Sequence, residues 1–138
     1  MPVRLIYCSR AARDMSLQDI QNILRTARAN NDKLGICGML SYQSRWFLQV
    51  LEGPRAEVNA LFLDIAEDPR HDAVTIIAYE YVDEPLFGDW RMGYAADGGA
   101  VGHLLHEFGM ERFEPLVMSP LQALRFLHEL STAQELAA

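Results

Sequence analysis

A polar amide stands in the middle of an apolar run. Arg45-Trp46-Phe47-Leu48-Gln49-Val50-Leu51-Glu52-Gly53 alternates like a strand, so Gln49 shares a face with Phe47 and Leu51. A second run, Val3-Arg4-Leu5-Ile6-Tyr7-Cys8, places Tyr7 on one face with Val3 and Leu5. If both faces look into a core, an amide and a phenol are buried where Leu or Val would cost less. Each costs about 1–3 kcal/mol unless something hydrogen-bonds it. The two can satisfy each other, or they can serve a third group.

Other residues invite the same question. Asn30-Asn31 closes a helical stretch, where Asn tolerates left-handed backbone, and a side-chain amide there also offers a donor and an acceptor to a ligand edge. In Asp68-Pro69-Arg70-His71, Arg70 can grip a phosphate or pair with Asp68 or Glu67. His71 has no Ser or Cys nucleophile in a motif context, so a hydrolytic triad is not supported. His103 and His106 are three apart on a helix, but two ligands do not make a metal site. Gly53-Pro54 is not a phosphate loop, and Glu67-Asp68 lacks a second carboxylate at a defined spacing for acid/base work. Trp90 and Met92 alternate onto one face of a short terminal strand, where core packing is the plain reading.

The elements that would position these residues follow from periodicity. A first strand covers 3–8. Ser16 caps a helix from Leu17 whose apolar positions Leu17, Ile20, Ile23, Leu24 and Ala27 recur at three- and four-residue steps and which ends near Asn30-Asn31. Residues 36–42 and 45–52 read as a hairpin turning at Gln43-Ser44. Val58, Leu61, Phe62 and Ile65 mark a second helix, stopped by Asp68-Pro69. A long strand over 74–82 and a short one at 90–94 follow, then a break at Asp97-Gly98-Gly99 and helices over 100–109 and 119–136. On the latter, Leu121, Ala123, Leu124, Leu127 and Leu130 lie on or near one face.

The order βαββαββ is that of an α+β, ferredoxin-like sheet with two helices on one face. Its first and third strands are expected as parallel central neighbours, which would let Tyr7 and Gln49 touch. Ile6, Cys8, Trp46, Leu48 and Val50 make the other face apolar as well, so the two C-terminal helices or a partner subunit must cover it. Residues 1–95 are expected to form the core and 96–138 a helical extension of the same compact unit.

At 138 residues, half of them hydrophobic and 22% charged, the chain reads as one soluble domain. A formal charge of -7 argues against nucleic acid or an anionic membrane as a partner. Cys8 and Cys37 read as reduced buried thiols. No apolar run approaches the roughly 18 residues of a membrane span, and the first residues lack a signal peptide's pattern, so a cytoplasmic location is expected.

Taken together, five segments resemble the BLUF family, blue-light sensors that use flavin adenine dinucleotide. They are Leu5-Ile6-Tyr7-Cys8-Ser9, Asn30-Asn31 with Gly35-Ile36-Cys37-Gly38-Met39-Leu40, Phe47 to Gly53, Asp68-Pro69-Arg70-His71, and Trp90-Arg91-Met92. Each is weak alone; their order and spacing over 3–93 are specific. The resemblance implies a non-covalent FAD with its ring between the two core helices. It makes Tyr7 the electron donor and Gln49 the amide between Tyr7 and the flavin N5/O4 edge. It assigns Asn31, with Asn30 beside it, to the O4/N3 edge, Ile23 and Ile65 to sandwiching the ring, and Arg70 and His71 to the cofactor's tail. Trp90 and Met92 become the signal relay. Light would drive electron and proton transfer from Tyr7 and leave Gln49 rearranged, shifting absorption to the red. Cys37 departs from the Thr or Ser common at its position, a change expected to affect packing more than photochemistry.

The chain is accordingly expected to be no enzyme. It would signal to a separate protein, and an uncovered apolar face would also suit a homo-oligomer. Two other classes stay open: a flavin-dependent oxidoreductase, although no nicotinamide fingerprint is present, and a flavin-free protein-interaction module.

Overall fold

The computed structural model describes residues 1–95 and 100–137, with side chains described to residue 131. The expected break at Asp97-Gly98-Gly99 lies outside the described residues. Five strands form one sheet in the order β4-β1-β3-β2-β5. Their spans are β1 Pro2–Ala11, β2 Cys37–Gln43, β3 Trp46–Pro54, β4 His71–Tyr81 and β5 Gly93–Tyr94. Helices α1 (Leu17–Leu34) and α2 (Arg55–Glu67) lie between them, and α3 (Ala100–Glu107) and α4 (Pro120–Ala137) follow.

Ser16 opens α1 with a full capping box: its hydroxyl accepts from the Asp19 amide at 3.1 Å, and the Asp19 carboxylate accepts from the Ser16 amide at 2.9 Å. The Arg13 guanidinium beside Asp19, with these Ser16 contacts, holds its carboxyl down at about 2. The helix passes Asn30-Asn31 and ends at Gly35, whose φ of 69° is the left-handed geometry of a C-terminal cap. The asparagines therefore sit in its last turns, not beyond its end. Leu17, read as apolar-face, is 70% exposed.

The hairpin turns at Ser44 and Arg45, both with positive φ, one residue later than the expected Gln43-Ser44. It sends β3 back along β2, while α1 has already returned the chain so that β2 runs with β1. Hence β1 and β3 are antiparallel, with Tyr7 directly opposite Gln49. The expectation of parallel neighbours was wrong in direction, although right about adjacency. β4 starts earlier than expected, at His71, and forms a sheet edge beside β1. β5 is only two residues long and pairs in parallel with β2, so 90–92 is not a strand.

Each sheet face carries its own core. Val3, Leu5, Tyr7, Phe47 and Leu51 meet Ile20, Leu24 and Val58 from α1 and α2. On the other face Ile6, Cys8, Leu48 and Val50 meet Val101, Leu104, Phe126 and Leu127 from α3 and α4. The C-terminal helices thus supply the expected cover. Leu121 takes no part in it, being 74% exposed in the first turn of α4; Phe126, not singled out from the sequence, is fully buried there. Both cysteines are buried and free. Burial pushes the Cys8 thiol up to about 11 and, with the Glu52 charge added, Cys37 up to about 12, so neither is a thiolate near neutral pH. Among the described residues no helix is long and apolar enough to cross a membrane.

Candidate functional site

Antiparallel pairing of the two central strands brings the phenol and the amide together. The Tyr7 hydroxyl donates to Gln49 Oε1, and Gln49 Nε2 donates to the Met92 sulfur at 3.2 Å. Both side chains are buried. One amide proton goes to sulfur; an amide nitrogen carries a second. Tyr7 packs edge-on against Phe62 of α2, with ring centroids 5.6 Å apart. Burial, and then the nearby Asp68 charge, push its phenol far above the ordinary range. Both effects favour the neutral phenol.

Above this pair lies a cavity of about 190 Å³ between α1 and α2. Tyr7, Phe47 and Gln49 floor it; Ile23 and Ala27 of α1 and Leu61 and Ile65 of α2 face it. Thr26, Asn30 and Asn31 of α1 and Asp64 of α2 line it as well, so each helix wall combines apolar and polar side chains.

Asn31 gives the cavity its most specific demand. It is fully buried, and its Nδ2 donates to the Arg91 carbonyl at 2.6 Å. Its Oδ1 is also buried and has no partner. That bond orients the amide, so the orphan is an acceptor, and it belongs to a residue that lines the cavity. Leaving it so costs about 1–3 kcal/mol, which a ligand N–H would recover. Asn30, by contrast, is exposed and contributes only to the cavity lining.

Arg70 and His71 also line the cavity. Of the two partners considered for Arg70, the structure supplies Asp68: Nη2 lies 2.6 Å from Oδ2, and the Arg70 amide donates to Oδ1 at 2.9 Å. This pairing lowers the Asp68 carboxyl below its usual range. His71 Nδ1 lies 2.6 Å from Ser9 Oγ, and its ring centroid is 4.8 Å from that of Phe47. Burial pushes its pKa down despite the Asp68 charge, which favours neutral imidazole.

Trp90 and Met92 do not share a face. Met92 belongs to the core beneath α1 and α2, whereas Trp90 packs against the core beneath α3 and α4. Without a ladder over 90–92 the strand alternation does not apply, and the segment carries one side chain into each layer. Gly38 permits the close approach: a Cβ there would fall 2.1 Å from the Val50 carbonyl oxygen and 3.1 Å from Met92 Cε.

One charged site escaped the sequence reading. Glu52 is fully buried on the α3/α4 side of the sheet, and its carboxylate accepts from Arg4 Nε at 2.8 Å and from the Leu86 and Phe87 amides at 3.1 and 2.8 Å. Arg4 and Glu52 are cross-strand partners in the same register as Tyr7 and Gln49. Opposite charges at those positions were the available signal. Among the described residues no three His, Cys, Asp or Glu side chains form a metal-binding group, and His103 lies 3.1 Å from Glu107 instead.

The family model described as sensors of blue-light using FAD (BLUF) matches residues 3–93. Photoactivated adenylate cyclase subunit alpha of Euglena gracilis is 41% identical over 86 residues, which is 62% of this chain and 8% of that protein. The chain thus spans less than a tenth of that relative's length. The structure of BlsA in its photo-activated state aligns with a TM-score of 0.88 at 36% identity, covering 94% of each chain. The dark-state structure of BlrB, a BLUF protein, aligns at 0.77 with 31% identity and 96% coverage of each.

Proposed function

The chain belongs to the BLUF family of blue-light flavin sensors, and from that premise we propose how its own residues hold the flavin and carry the light response. The observation that carries the reading is the buried, unpaired Asn31 Oδ1 beside the same cavity as the Tyr7–Gln49 pair. A flavin's pyrimidine edge bears both an N–H and carbonyl acceptors, so it fits that donor and acceptor set. Ile23 and Ile65 would hold the ring between the helices, and Asn31 Oδ1 would accept its N–H. Asn30, Arg70 and His71 serve the remainder of the cofactor, which we take to be FAD, as the family description has it.

The bound flavin supplies the blue absorption and an electron acceptor. Tyr7 would serve as the electron donor, and its hydroxyl proton would pass along the existing hydrogen bond to Gln49 Oε1. With Oε1 protonated, Gln49 could in turn give up a proton from Nε2, whose second N–H is not used by the Met92 sulfur. When electron and proton return to Tyr7, the amide settles in its other hydrogen-bonding arrangement. Such a change is worth about 1–3 kcal/mol and can shift a two-state population several-fold or more. Met92, bonded to Gln49, senses the rearrangement; Trp90, two residues before it, carries it into the α3/α4 layer. We read residues 1–95 as the sensor, 96–138 as its extension, and a contact with a separate signalling protein as its output.

Purified protein should be yellow, shift to the red under blue light and revert in the dark. A colourless protein that takes up no added flavin would favour a flavin-free interaction module. Steady-state reduction of the flavin by a nicotinamide donor would favour an oxidoreductase.

Two variants test the residues. Gln49→Leu should keep its flavin and lose the light-induced shift, since Leu offers neither donor nor acceptor; a parental shift in this variant would remove the amide from the mechanism. Asn31→Ala should weaken flavin binding by roughly 10- to 100-fold, the effect of losing a buried hydrogen bond. Titration of the apoprotein with flavin measures it, and unchanged affinity would contradict the role of Oδ1.

A further inference from the structure

The segment bearing Trp90 and Met92 has no ladder of its own, yet three successive carbonyls in it are held. The Gly38 amide of β2 donates to the Trp90 oxygen at 3.0 Å. Asn31 Nδ2 donates to the Arg91 oxygen at 2.6 Å, and Arg28 Nε donates to the Met92 oxygen at 2.9 Å. Asp32 adds an ion pair to the Arg91 side chain at 3.5 Å. Residues 28, 31 and 32 follow the i, i+3, i+4 spacing of a single helix face. One face of α1 therefore grips residues 91–92, while the neighbouring Ala27, Asn30 and Asn31 line the cavity.

We infer that Arg28 is a positioning residue for the light response: by holding the Met92 carbonyl to α1 it keeps the Met92 sulfur against Gln49, and so sets how readily the segment 90–92 changes place. The inference rests on the light-sensing reading above. Arg28 does not line the cavity, so its effect on the flavin is indirect. A guanidinium donates strongly to a carbonyl. The oxygen it holds belongs to the residue whose sulfur takes the Gln49 proton. Loosening it changes how firmly the Met92 sulfur is held against Gln49 without altering the groups that line the cavity. Asn31 touches both systems, since one end of its amide is beside the cavity and the other holds the Arg91 carbonyl. Neither Arg28 nor Asp32 lines the cavity, and of these two it is Arg28 that holds the Met92 carbonyl.

The test uses flavin-loaded protein carrying Trp46→Phe, which leaves Trp90 as the one tryptophan, and compares that parent with its Arg28→Met and Arg28→Lys variants. Met keeps the unbranched apolar stem and removes the donors; Lys keeps a donor. Arg28→Met should retain parental flavin occupancy and the parental size of the red shift. Its dark-recovery rate should change by about five- to ten-fold, the scale of one charge-assisted hydrogen bond at a part-exposed site. Its Trp90 emission should also differ from the parent's in the dark. Arg28→Lys should return both readouts most of the way to parental values. Parental recovery and parental emission in Arg28→Met would overturn the inference, as would loss of flavin from that variant, which would make Arg28 a binding residue. A parent with no light response overturns the underlying reading and the inference with it. A responsive parent with an indifferent Arg28→Met overturns the inference alone.

Discussion

Tyr7→Phe protein should bind flavin, look yellow and show no reversible red shift under blue light. The substitution removes one oxygen. The aromatic ring stays, and with it the edge contact to Phe62 and the fill of the core beneath α1 and α2. On the proposed reading flavin binding rests on Asn31 and the helix walls, which the substitution leaves untouched. What disappears is the hydroxyl that donates to Gln49 Oε1, and with it the readily oxidised phenol. Gln49 is left with an unpaired acceptor, so stability should fall by about 1–3 kcal/mol, well within what a folded domain tolerates. Difference spectra before and after illumination provide the measurement. A shift of parental size would show that the electron comes from elsewhere, and the mechanism built on Tyr7 would fall. Because burial and Asp68 hold the parental phenol far above its ordinary pKa, the donor in the proposed mechanism is neutral tyrosine. An electron taken from it must be accompanied by its proton, which is why the hydroxyl's partner matters.

That partner was legible in the sequence, and the reason is specific. Alternation in two apolar runs is a robust signal, and an amide and a phenol among bulky hydrocarbons stand out against it. Strand direction was less secure, because the composition of a central strand does not record which way its neighbour runs. Connectivity does: a hairpin reverses the chain, and a helix of the length of α1 brings it back. Once β1 and β3 are antiparallel, the register that faces Tyr7 with Gln49 also faces Arg4 with Glu52. The mistaken direction hid the second pair while leaving the first in view. The end of α1 was readable from Gly35, a left-handed cap four residues beyond Asn31. Trp90-Arg91-Met92 misled because alternation over three residues looks like a strand whether or not a ladder forms. Here the carbonyls of all three go to a backbone amide of β2 and two side chains of α1. No local pattern announces such long-range partners.

Replacing Glu52 with Ala should destabilise the protein by about 3–5 kcal/mol, because removing one partner of a buried ion pair leaves the other charge uncompensated. Arg4 is 7% exposed; its second acidic neighbour, Glu80, is 3.6 Å away and largely solvated, so it compensates poorly. The Leu86 and Phe87 amides lose their acceptor at the same time. The loss is local as well as global. Phe87 is fully buried, with its ring centroid 5.9 Å from that of His128 on α4, and the segment it anchors leads into Trp90 and Met92. Glu52 thus fixes the start of that segment as α1 fixes its end. Urea denaturation at a fixed excess of flavin measures the effect, since bound ligand stabilises parent and variant alike only when occupancy is matched. Glu52→Gln should lie between parent and Ala, keeping one acceptor oxygen for an amide but not the charge that meets Arg4. The double variant Arg4→Met, Glu52→Leu should be more stable than Glu52→Ala, because no buried cation remains, yet less stable than the parent, because both amides still lack a partner. A loss below about 1 kcal/mol in Glu52→Ala, the range of a solvent-exposed ion pair, would show that water reaches this carboxylate and that it does not anchor the segment.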